Sequence, residues 1–571
     1  MNKLTLLALL TCTLISAQSL LTPYEKGNRN QTVSYEEMNE FYSVLDNKYS
    51  EINIREFGLT DSGRPIQVIF YNKGSKWDYS KPQKKAVLLI NNGIHPGEPD
   101  GIDASMMLLR DLAEGRIETP KNTLIAVIAA YNIGGMLNRN SFSRANQNGP
   151  EAYGFRGNAR NFDLNRDFIK TDTHNARTFQ EIYHTLNPDV FIDNHVSNGA
   201  DYQYTLTYIA TNRERLGNVL GTYYHDQMNV SINKDLTSKG IPPIPYVNVW
   251  NGTPDQGYGQ FMDSPRYATG YTSLFNTIGQ VPETHMLKPY AERVEATYQN
   301  MLSYLKFTDA NYKTIKAKRK ENLAQYLPGK NYPLQWTLDK EKIEKIEFKG
   351  YEGQKVKSKV TGELRLSYDR NKPFTKNINF YNRYKAELSV VIPRYYIVPQ
   401  AEWKVVEELK RNRIQMSQLK KDSTVVAEIY SIASYETAKT PYEGHYNHFN
   451  TVMKAEMVQV KFFKGDYLIS TDQPGVKYLL ETLEPEAVDS FFNWNFFDAI
   501  LTQKEHYSDY IFEDTAAELL TSDKALKTAF ELQKRANPEI SKNPRMQLDW
   551  IYRNSIYFES SFLRYPVARI L

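Results

Sequence analysis

The sequence predicts an α/β fold, a sheet covered by helices, in the first part of the chain. Up to about residue 310, short apolar runs alternate with longer amphipathic ones, which is the pattern of buried strands and covering helices. Residues 85–91 and 124–130 are expected to be strands, and residues 101–114 a helix with one apolar face. Residues 189–193 are expected to form a third strand.

The later part of the chain has a different pattern. Residues 326–337 contain a Pro- and Gly-rich stretch that predicts a linker. We therefore expect one domain over residues 18–325 and an accessory α+β region of one or two domains over residues 338–571. Strand-like runs and an amphipathic helix near residues 402–410 are expected within this region, and an aromatic, helical end from about residue 484.

Composition excludes several classes of protein. The chain has 571 residues, of which 41% are hydrophobic, so a large core is available, and the 24% charged fraction argues against a disordered chain. Its 70 Lys and Arg against 66 Asp and Glu leave a formal charge of +4, which is too balanced to indicate a nucleic-acid partner. We expect no segment that spans a membrane.

The N-terminus is typical of a secretory signal peptide. A short basic start is followed by an apolar run and then by small residues, which predicts residues 1–17 as the signal with cleavage near Ala17. The protein is then expected to be secreted or periplasmic. Cys12, the single cysteine of the sequence, lies in this segment, so the mature chain would have no disulfide. Any metal site must use nitrogen and oxygen ligands.

A candidate metal site follows the first predicted strand. His95 and Glu98 lie in a Gly- and Pro-rich bend between a predicted strand and a predicted helix, so that both side chains can bind one cation. His195 follows the strand of residues 189–193 and supplies a third ligand. His285 is a weaker candidate, because it shares a segment with Glu283 and has no strand end of its own. Three ligands leave a position open for water, as in catalytic zinc sites.

A carboxylate base is expected beside the metal. Zinc lowers the pKa of a bound water from about 15.7 towards about 7, and a neighbouring carboxylate can then accept the proton. Glu283 follows a short apolar run and is the preferred candidate, with Glu292 and Glu295 as the nearest alternatives.

An arginine-rich segment lies between these blocks. Asn165 and Arg166 would form a planar, bidentate clamp for a carboxylate. Arginine suits this role better than lysine, because its planar guanidinium can donate two parallel hydrogen bonds. Arg156 is placed to polarise a carbonyl or to stabilise an oxyanion. A solvated basic loop is the alternative interpretation.

The combined motifs resemble those of the M14-type zinc carboxypeptidases over about residues 30–310. The likeness covers His95-Pro-Gly-Glu98, His195 and the segment Arg156-Gly-Asn-Ala-Arg-Asn-Phe-Asp-Leu-Asn165-Arg166-Asp-Phe. The resemblance implies a mixed, twisted, eight-stranded sheet flanked by helices, with the site at the strand ends. It also implies three zinc ligands, a catalytic base at Glu283, a carbonyl-polarising arginine at Arg156, and an Asn165–Arg166 pair that binds the substrate C-terminus.

Two assignments remain open within this resemblance. The family usually has a mobile tyrosine that covers the substrate. Here Tyr267 and Tyr271 are the candidates, and both lie fewer residues before Glu283 than the family's tyrosine lies before its base. Tyr267 is preferred. Arg144 has a similar sequence environment to Arg156 and could replace it, although the spacing favours Arg156. The side-chain preference is not assigned, because the floor of the substrate pocket is not located.

The sequence thus predicts a metallocarboxypeptidase that binds one zinc ion and cleaves peptides or proteins with a free C-terminus. A zinc amidase or peptidase acting on cell-wall peptides is the runner-up. A catalytically silent peptide-binding protein on the same scaffold is the third possibility. His445 and His448 might form a second metal pair, but two loop histidines without a metal are the more common case.

Overall fold

The computed structural model describes residues 20–74, residue 77 and residues 84–571. The predicted signal peptide, with Cys12 and Ala17, lies outside the described residues and stays a prediction. Among the helices that are described, none combines the length and the apolar character needed to cross a bilayer.

The described part of the chain contains strands and helices throughout. The strands are β1 (Ile52–Leu59), β2 (Pro65–Tyr71), β3 (Ala86–Asn91), β4 (Thr123–Ile128), β5 (Val190–Asp193), β6 (His195–Val196), β7 (Leu206–Ala210), β8 (Ile244–Pro245), β9 (Tyr258–Gly259), β10 (Ile278–Thr284), β11 (Asn331–Leu338), β12 (Glu344–Lys357), β13 (Leu364–Tyr381), β14 (Tyr384–Val391), β15 (Tyr395–Val398), β16 (Ser417–Gln418), β17 (Ser423–Thr437), β18 (His448–Phe462), β19 (Tyr467–Ser470) and β20 (Arg564–Ile570). The helices are α1 (Pro23–Lys26), α2 (Tyr35–Lys48), α3 (Asp100–Ala113), α4 (Ile133–Leu137), α5 (His174–Leu186), α6 (Arg213–Leu216), α7 (Asn218–Tyr223), α8 (Asn229–Ser238), α9 (Ala268–Ser273), α10 (Tyr290–Leu323), α11 (Trp403–Arg411), α12 (Val476–Leu483), α13 (Asp509–Ser522), α14 (Lys524–Ala536), α15 (Pro538–Lys542) and α16 (Pro544–Arg553).

The first part of the chain is built on one mixed sheet, as predicted. Eight strands follow the order β1-β2-β4-β3-β5-β10-β7-β8, and the short β6 pairs with β10 as well. The central strands β4, β3, β5 and β10 are parallel, whereas β1 with β2, β2 with β4, and β7 with β10 are antiparallel. The prediction of a mixed sheet flanked by helices is therefore confirmed.

Two hydrophobic cores lie on opposite faces of this sheet. In β3, Leu88 and Ile90 belong to the first core, and Val87 and Leu89 belong to the second, because successive side chains of a strand point to opposite faces. Apolar side chains of α2, α3, α8 and α10 contribute to the first core, and those of α5 and α9 contribute to the second. Strands that are buried on both faces read as continuous apolar runs, which is why β3 and β4 could be predicted.

The C-terminal region packs directly on the first part of the chain. Its main sheet has the order β16-β19-β15-β20-β17-β18. The second core extends into it through buried residues such as Leu479 and Trp494. Helices α13, α14 and α16 enclose a separate small apolar cluster.

The structure differs from the sequence prediction at two places in this region. The predicted linker, residues 326–337, is only partly a connection, because from Asn331 onward the chain forms β11, which pairs antiparallel with β14. A proline is tolerated in such an edge strand, so Pro333 does not mark a linker. The chain end is also not helical throughout, since β20 returns between β15 and β17 in the main sheet.

Candidate metal centre

Three adjacent parallel strands bring the predicted site residues together. His95 follows β3, His195 begins β6 directly after β5, and Glu283 lies near the end of β10. Because β3, β5 and β10 are neighbours and run in the same direction, their carboxyl ends meet at one edge of the sheet. Glu283 and His195 are also directly opposite each other in the pairing of β10 with β6.

His95, Glu98 and His195 form a compact, buried group. One ligand atom from each lies within 4.8 Å of the others. Glu98 Oε1 is 3.4 Å from His95 Nδ1, and Glu98 Oε2 is 3.0 Å from His195 Nδ1. The two imidazole rings meet edge to face, with centroids 4.9 Å apart. The Val196 backbone amide donates to Glu98 Oε2 and orients this carboxylate.

In each histidine, the Nε2 atom, which is not the one that faces Glu98, forms a hydrogen bond with a carboxylate. His95 Nε2 donates to Asp163 Oδ1 at 2.9 Å, and His195 Nε2 donates to Asp193 Oδ2 at 3.0 Å. Asn91, at the end of β3, donates in turn to Asp193 Oδ1. Such partners set the ring orientation and leave both Nδ1 atoms facing Glu98.

The donor atoms fit a zinc ion. His95 Nδ1 is buried and has no hydrogen-bond partner among the described residues, and a buried polar nitrogen in this state is costly unless something binds it. Two imidazole nitrogens and one carboxylate are the ligands of a common class of three-ligand catalytic zinc site. His95, Glu98 and His195 would thus hold the metal, with Asp163 and Asp193 as their supports.

Burial and charge act against each other in this group. Burial raises the pKa of Glu98, but Arg144 and the two histidines outweigh it, so this pKa lies well below its ordinary value. Burial lowers the pKa of His195, but Asp193 and Glu98 raise it well above its ordinary value. Burial raises the pKa of Glu283 to about 7, and the charge of Glu98 adds to this, whereas His195 and two arginines oppose it.

Both candidate oxyanion arginines lie beside the metal group. Arg144 donates to Glu98 Oε1 at 2.6 Å and is 17% exposed. Arg156 donates from Nε to Asp163 Oδ2 at 2.9 Å, reaches Glu98 at 3.5 Å and is 44% exposed. Because Asp163 holds both His95 and Arg156, the Arg156 guanidinium is held next to the metal group while part of it remains accessible.

Asn165 and Arg166 lie on the same wall of the site as Tyr267. They belong to the short 3-10 turn Leu164–Arg166, which the Asp163 side chain caps by accepting from the Asn165 amide. The Arg166 guanidinium stacks over the Tyr267 ring, 4.6 Å from its centroid. Asn165 also accepts from the Ala268 amide at the start of α9. This contact ties the turn to the helix behind it.

The cavity at this edge of the sheet has a volume of about 420 Å³. Sequence-predicted residues make up one part of its lining: His95, Glu98, Arg144, Arg156, Asn165, Arg166, His195, Tyr267 and Glu283. Several other lining residues are not among those predicted, including Tyr246, Trp250, Phe261, Asp263 and Thr269. Asp163 and Asp193 were likewise not predicted. Asp193 carries a signal, since it ends a predicted strand two residues before a candidate ligand.

The structure places the weaker candidates elsewhere. The Tyr271 ring is fully buried in the second core, and its hydroxyl contacts Asn412 at 2.6 Å. His285 pairs with Asp201 and stacks on Tyr202. Glu292 and Glu295 lie on α10 and line a different pocket.

The two histidines of the C-terminal region pair with different carboxylates, although both contact the Asn495 side chain. His445 Nε2 is 2.9 Å from an Asp172 oxygen, and His448 Nε2 is 3.0 Å from an Asp498 oxygen. In the described part of the chain, the His95–Glu98–His195 group is the one cluster of three such side chains within reach of a single ion. A second metal pair at His445 and His448 therefore finds no support.

Part of the chain is similar to zinc carboxypeptidases. Residues 38–228 match the family model described as zinc carboxypeptidase, and the resemblance seen in the sequence motifs is confirmed. A relative named carboxypeptidase 2, from Trichophyton rubrum, is 21% identical over 478 residues, which are 80% of this chain and 82% of the relative.

Solved structures of carboxypeptidases are similar over about half of the chain. Carboxypeptidase A from Helicoverpa armigera has a TM-score of 0.38 and 13% identity, covering 50% of this chain and 75% of its own. A metallo-carboxypeptidase from Burkholderia cenocepacia has a TM-score of 0.35 and 14% identity, and the match covers 49% of this chain and 70% of that protein's chain.

The geometry predicts that each chain binds one zinc ion and that replacement of a ligand side chain abolishes this binding. His95→Ala removes a nitrogen donor, so the purified variant is expected to contain little zinc when measured by plasma mass spectrometry against protein concentration. His285→Ala is the matched control, because this histidine lies outside the group, and it should keep near-stoichiometric zinc. Loss of zinc in His285→Ala with retention in His95→Ala would contradict the assignment.

Proposed function

We propose that the protein is a zinc-dependent metallocarboxypeptidase that hydrolyses the last peptide bond of a chain with a free C-terminus. The observation that carries this proposal is that one cavity contains the His95–Glu98–His195 group, the Glu283 carboxylate and the Asn165–Arg166 pair. A metal site, a base and a carboxylate clamp are the three parts that such a reaction needs.

Zinc bound by this group would act as a Lewis acid and lower the pKa of water towards about 7. Glu283 is the base that accepts the proton of the attacking water and returns it to the leaving amine. A carboxyl whose pKa burial raises to about 7 suits both directions of this transfer, because it can be charged or neutral near neutral pH. Glu283 also lies opposite His195 in the sheet, so its position relative to the metal group is fixed by the backbone.

The arginines divide two further tasks between them. Arg156 stabilises the negative oxygen that develops on the scissile carbonyl, since its guanidinium is accessible and its Nε is fixed by Asp163. Arg166 and Asn165 bind the terminal carboxylate, for which a planar guanidinium offers two parallel donors. Tyr267 holds the Arg166 guanidinium by stacking and borders the space where the terminal residue binds.

The site of action is also a proposal. The basic and apolar N-terminal segment supports secretion or a periplasmic location. Partners would then be extracellular peptides or proteins with free C-termini.

A peptide library with free and amidated C-termini tests the proposed reaction. The enzyme is expected to release single C-terminal residues from the free peptides only, since an amide removes the charge that Arg166 and Asn165 bind. A zinc chelator should abolish release and added zinc should restore it. Products are read by mass spectrometry.

Equal cleavage of amidated peptides, or cuts inside the chain, would overturn the exopeptidase assignment and favour the amidase alternative. No cleavage by zinc-loaded protein together with intact peptide binding would favour the catalytically silent alternative.

Replacement of the base separates chemistry from metal binding. Glu283→Gln is expected to keep its zinc but to lower kcat by about 10²- to 10⁴-fold, the usual contribution of a general base. Glu292→Gln is the matched control and should keep the wild-type kcat, because this residue faces a different pocket. A Glu283→Gln variant with nearly full turnover would show that another group accepts the proton.

A further inference from the structure

The tip of the β17–β18 hairpin, residues 438–447, reaches from the C-terminal region to the segment that carries Asp163. Glu443 Oε2 accepts a hydrogen bond from the Asp163 backbone amide at 2.9 Å. The neighbouring Gly444 lies so near the Phe162 ring that an added Cβ would be 3.0 Å from it. The tip is therefore in close contact with two residues that lie about 280 positions earlier in the chain.

Glu443 and Gly444 are the two central residues of a tight turn. The flanking residues Tyr442 and His445 exchange backbone hydrogen bonds of 2.8 and 3.1 Å. The φ angle is positive at both central residues, 47° at Glu443 and 82° at Gly444. Hairpin turns with two positive φ angles favour Asn-Gly, Asp-Gly or Gly-Gly, because most other side chains are strained in this conformation. Gly444 fits this rule and Glu443 departs from it, so the turn by itself does not explain a glutamate here.

Further contacts fix the turn on both sides of Glu443. On one side, the Tyr442 ring stacks on the Trp494 ring, with centroids 6.4 Å apart. On the other side, His445 Nε2 is 2.9 Å from Asp172 Oδ2, which belongs to the same segment as Asp163. These contacts hold the turn in place, so that the Glu443 carboxylate stays directed at the backbone amide.

Asp163 connects this hydrogen bond to the candidate metal group. Its Oδ1 accepts from His95 Nε2 and from the Asn165 amide, both at 2.9 Å. Its Oδ2 accepts from Arg156 Nε, also at 2.9 Å. Because both carboxylate oxygens are engaged, a shift of the Asp163 backbone would change all three hydrogen bonds. A carboxylate behind a metal-binding imidazole sets the orientation of its ring, so the hydrogen bond from Glu443 affects where His95 Nδ1 lies.

We infer that Glu443 is a positioning residue of the metal centre, through which the C-terminal region fixes Asp163 and thereby the orientation of His95. The C-terminal region is then a part of the metal centre and not only a region packed against it. This inference rests on the zinc site of the proposed function, but it does not depend on the reaction, because its test measures metal binding.

The zinc affinity of full-length variants, measured in competition with a chromophoric chelator, tests this role. Glu443→Ala is expected to weaken zinc binding about tenfold, the lower end of the effect of losing a partner behind a metal ligand. Glu443→Gln should stay near wild type, because its amide oxygen can accept the same hydrogen bond. Glu436→Ala changes an exposed glutamate of the same hairpin and should leave the affinity unchanged.

Glu443→Asn separates positioning from the stability of the turn. Asparagine suits a positive φ better than glutamate does, so the thermal midpoint of the metal-free variant should equal or exceed that of wild type. Its side chain is one methylene shorter and is expected not to reach the Asp163 amide, so zinc affinity should fall about as far as in Glu443→Ala. A role in turn stability alone predicts the opposite result, a stable turn with unchanged zinc affinity.

A double-mutant cycle tests the route through Asp163. Asp163→Ala removes the carboxylate that holds His95 but keeps the backbone amide, and it is expected to weaken zinc binding about 10- to 100-fold. In this background Glu443→Ala should cause at most about a twofold further loss, because effects that act through one group are not additive. A full tenfold further loss would show that Glu443 acts by another route and would overturn the inference.

Circular dichroism and the thermal midpoint of each metal-free variant establish that it is folded. Unchanged zinc affinity in Glu443→Ala would overturn the positioning role and leave the proposed zinc site intact. An equal loss in Glu443→Gln and Glu443→Ala would also overturn it, since this would point to the charge and not to the hydrogen bond. Wild-type protein that binds no zinc would overturn the proposed metal site itself, and this inference with it.

Discussion

The parallel alignment of β3, β5 and β10 is the constraint on which the site depends. Because these strands are neighbours and end at the same edge, the residues that follow them are brought together although they are far apart in sequence. The backbone pairing of Glu283 with His195 then places a carboxylate beside a candidate metal ligand. Both faces of β3 are buried, so a change in the register of this strand would disrupt the packing of a core.

The charges of the site are balanced in pairs that extend outward from the centre. Glu98 lies between two histidines, each histidine is held by an aspartate, and Asp163 is held by Arg156 and by the Glu443 side chain. In a buried environment each of these interactions is stronger than it would be in water, and each unpaired group is correspondingly costly.

The C-terminal region is more closely integrated than its sequence suggests. A proline and glycine stretch predicts a linker and a separate domain, yet Leu479 and Trp494 are part of a core that the central sheet shares. Local composition indicates where a chain turns, but it carries no information about which surfaces pack together. Glu443 contacts Asp163 across 280 residues of sequence, and no pattern in either segment indicates this partner.

The sequence by itself determined the class of fold, the zinc-ligand candidates and the resemblance to the zinc carboxypeptidases, because these depend on local features: apolar runs, a bend after a strand, and the spacing of His95 and Glu98 or of Arg156 and Asn165. Residues without such a local signature depended on the tertiary structure. Tyr267 lines the cavity while Tyr271 is buried in a core, and Asp163 acquires its role only from the groups placed next to it. The reason is physical: a side chain's burial, pKa and hydrogen-bond partners are set by neighbours that are distant in sequence.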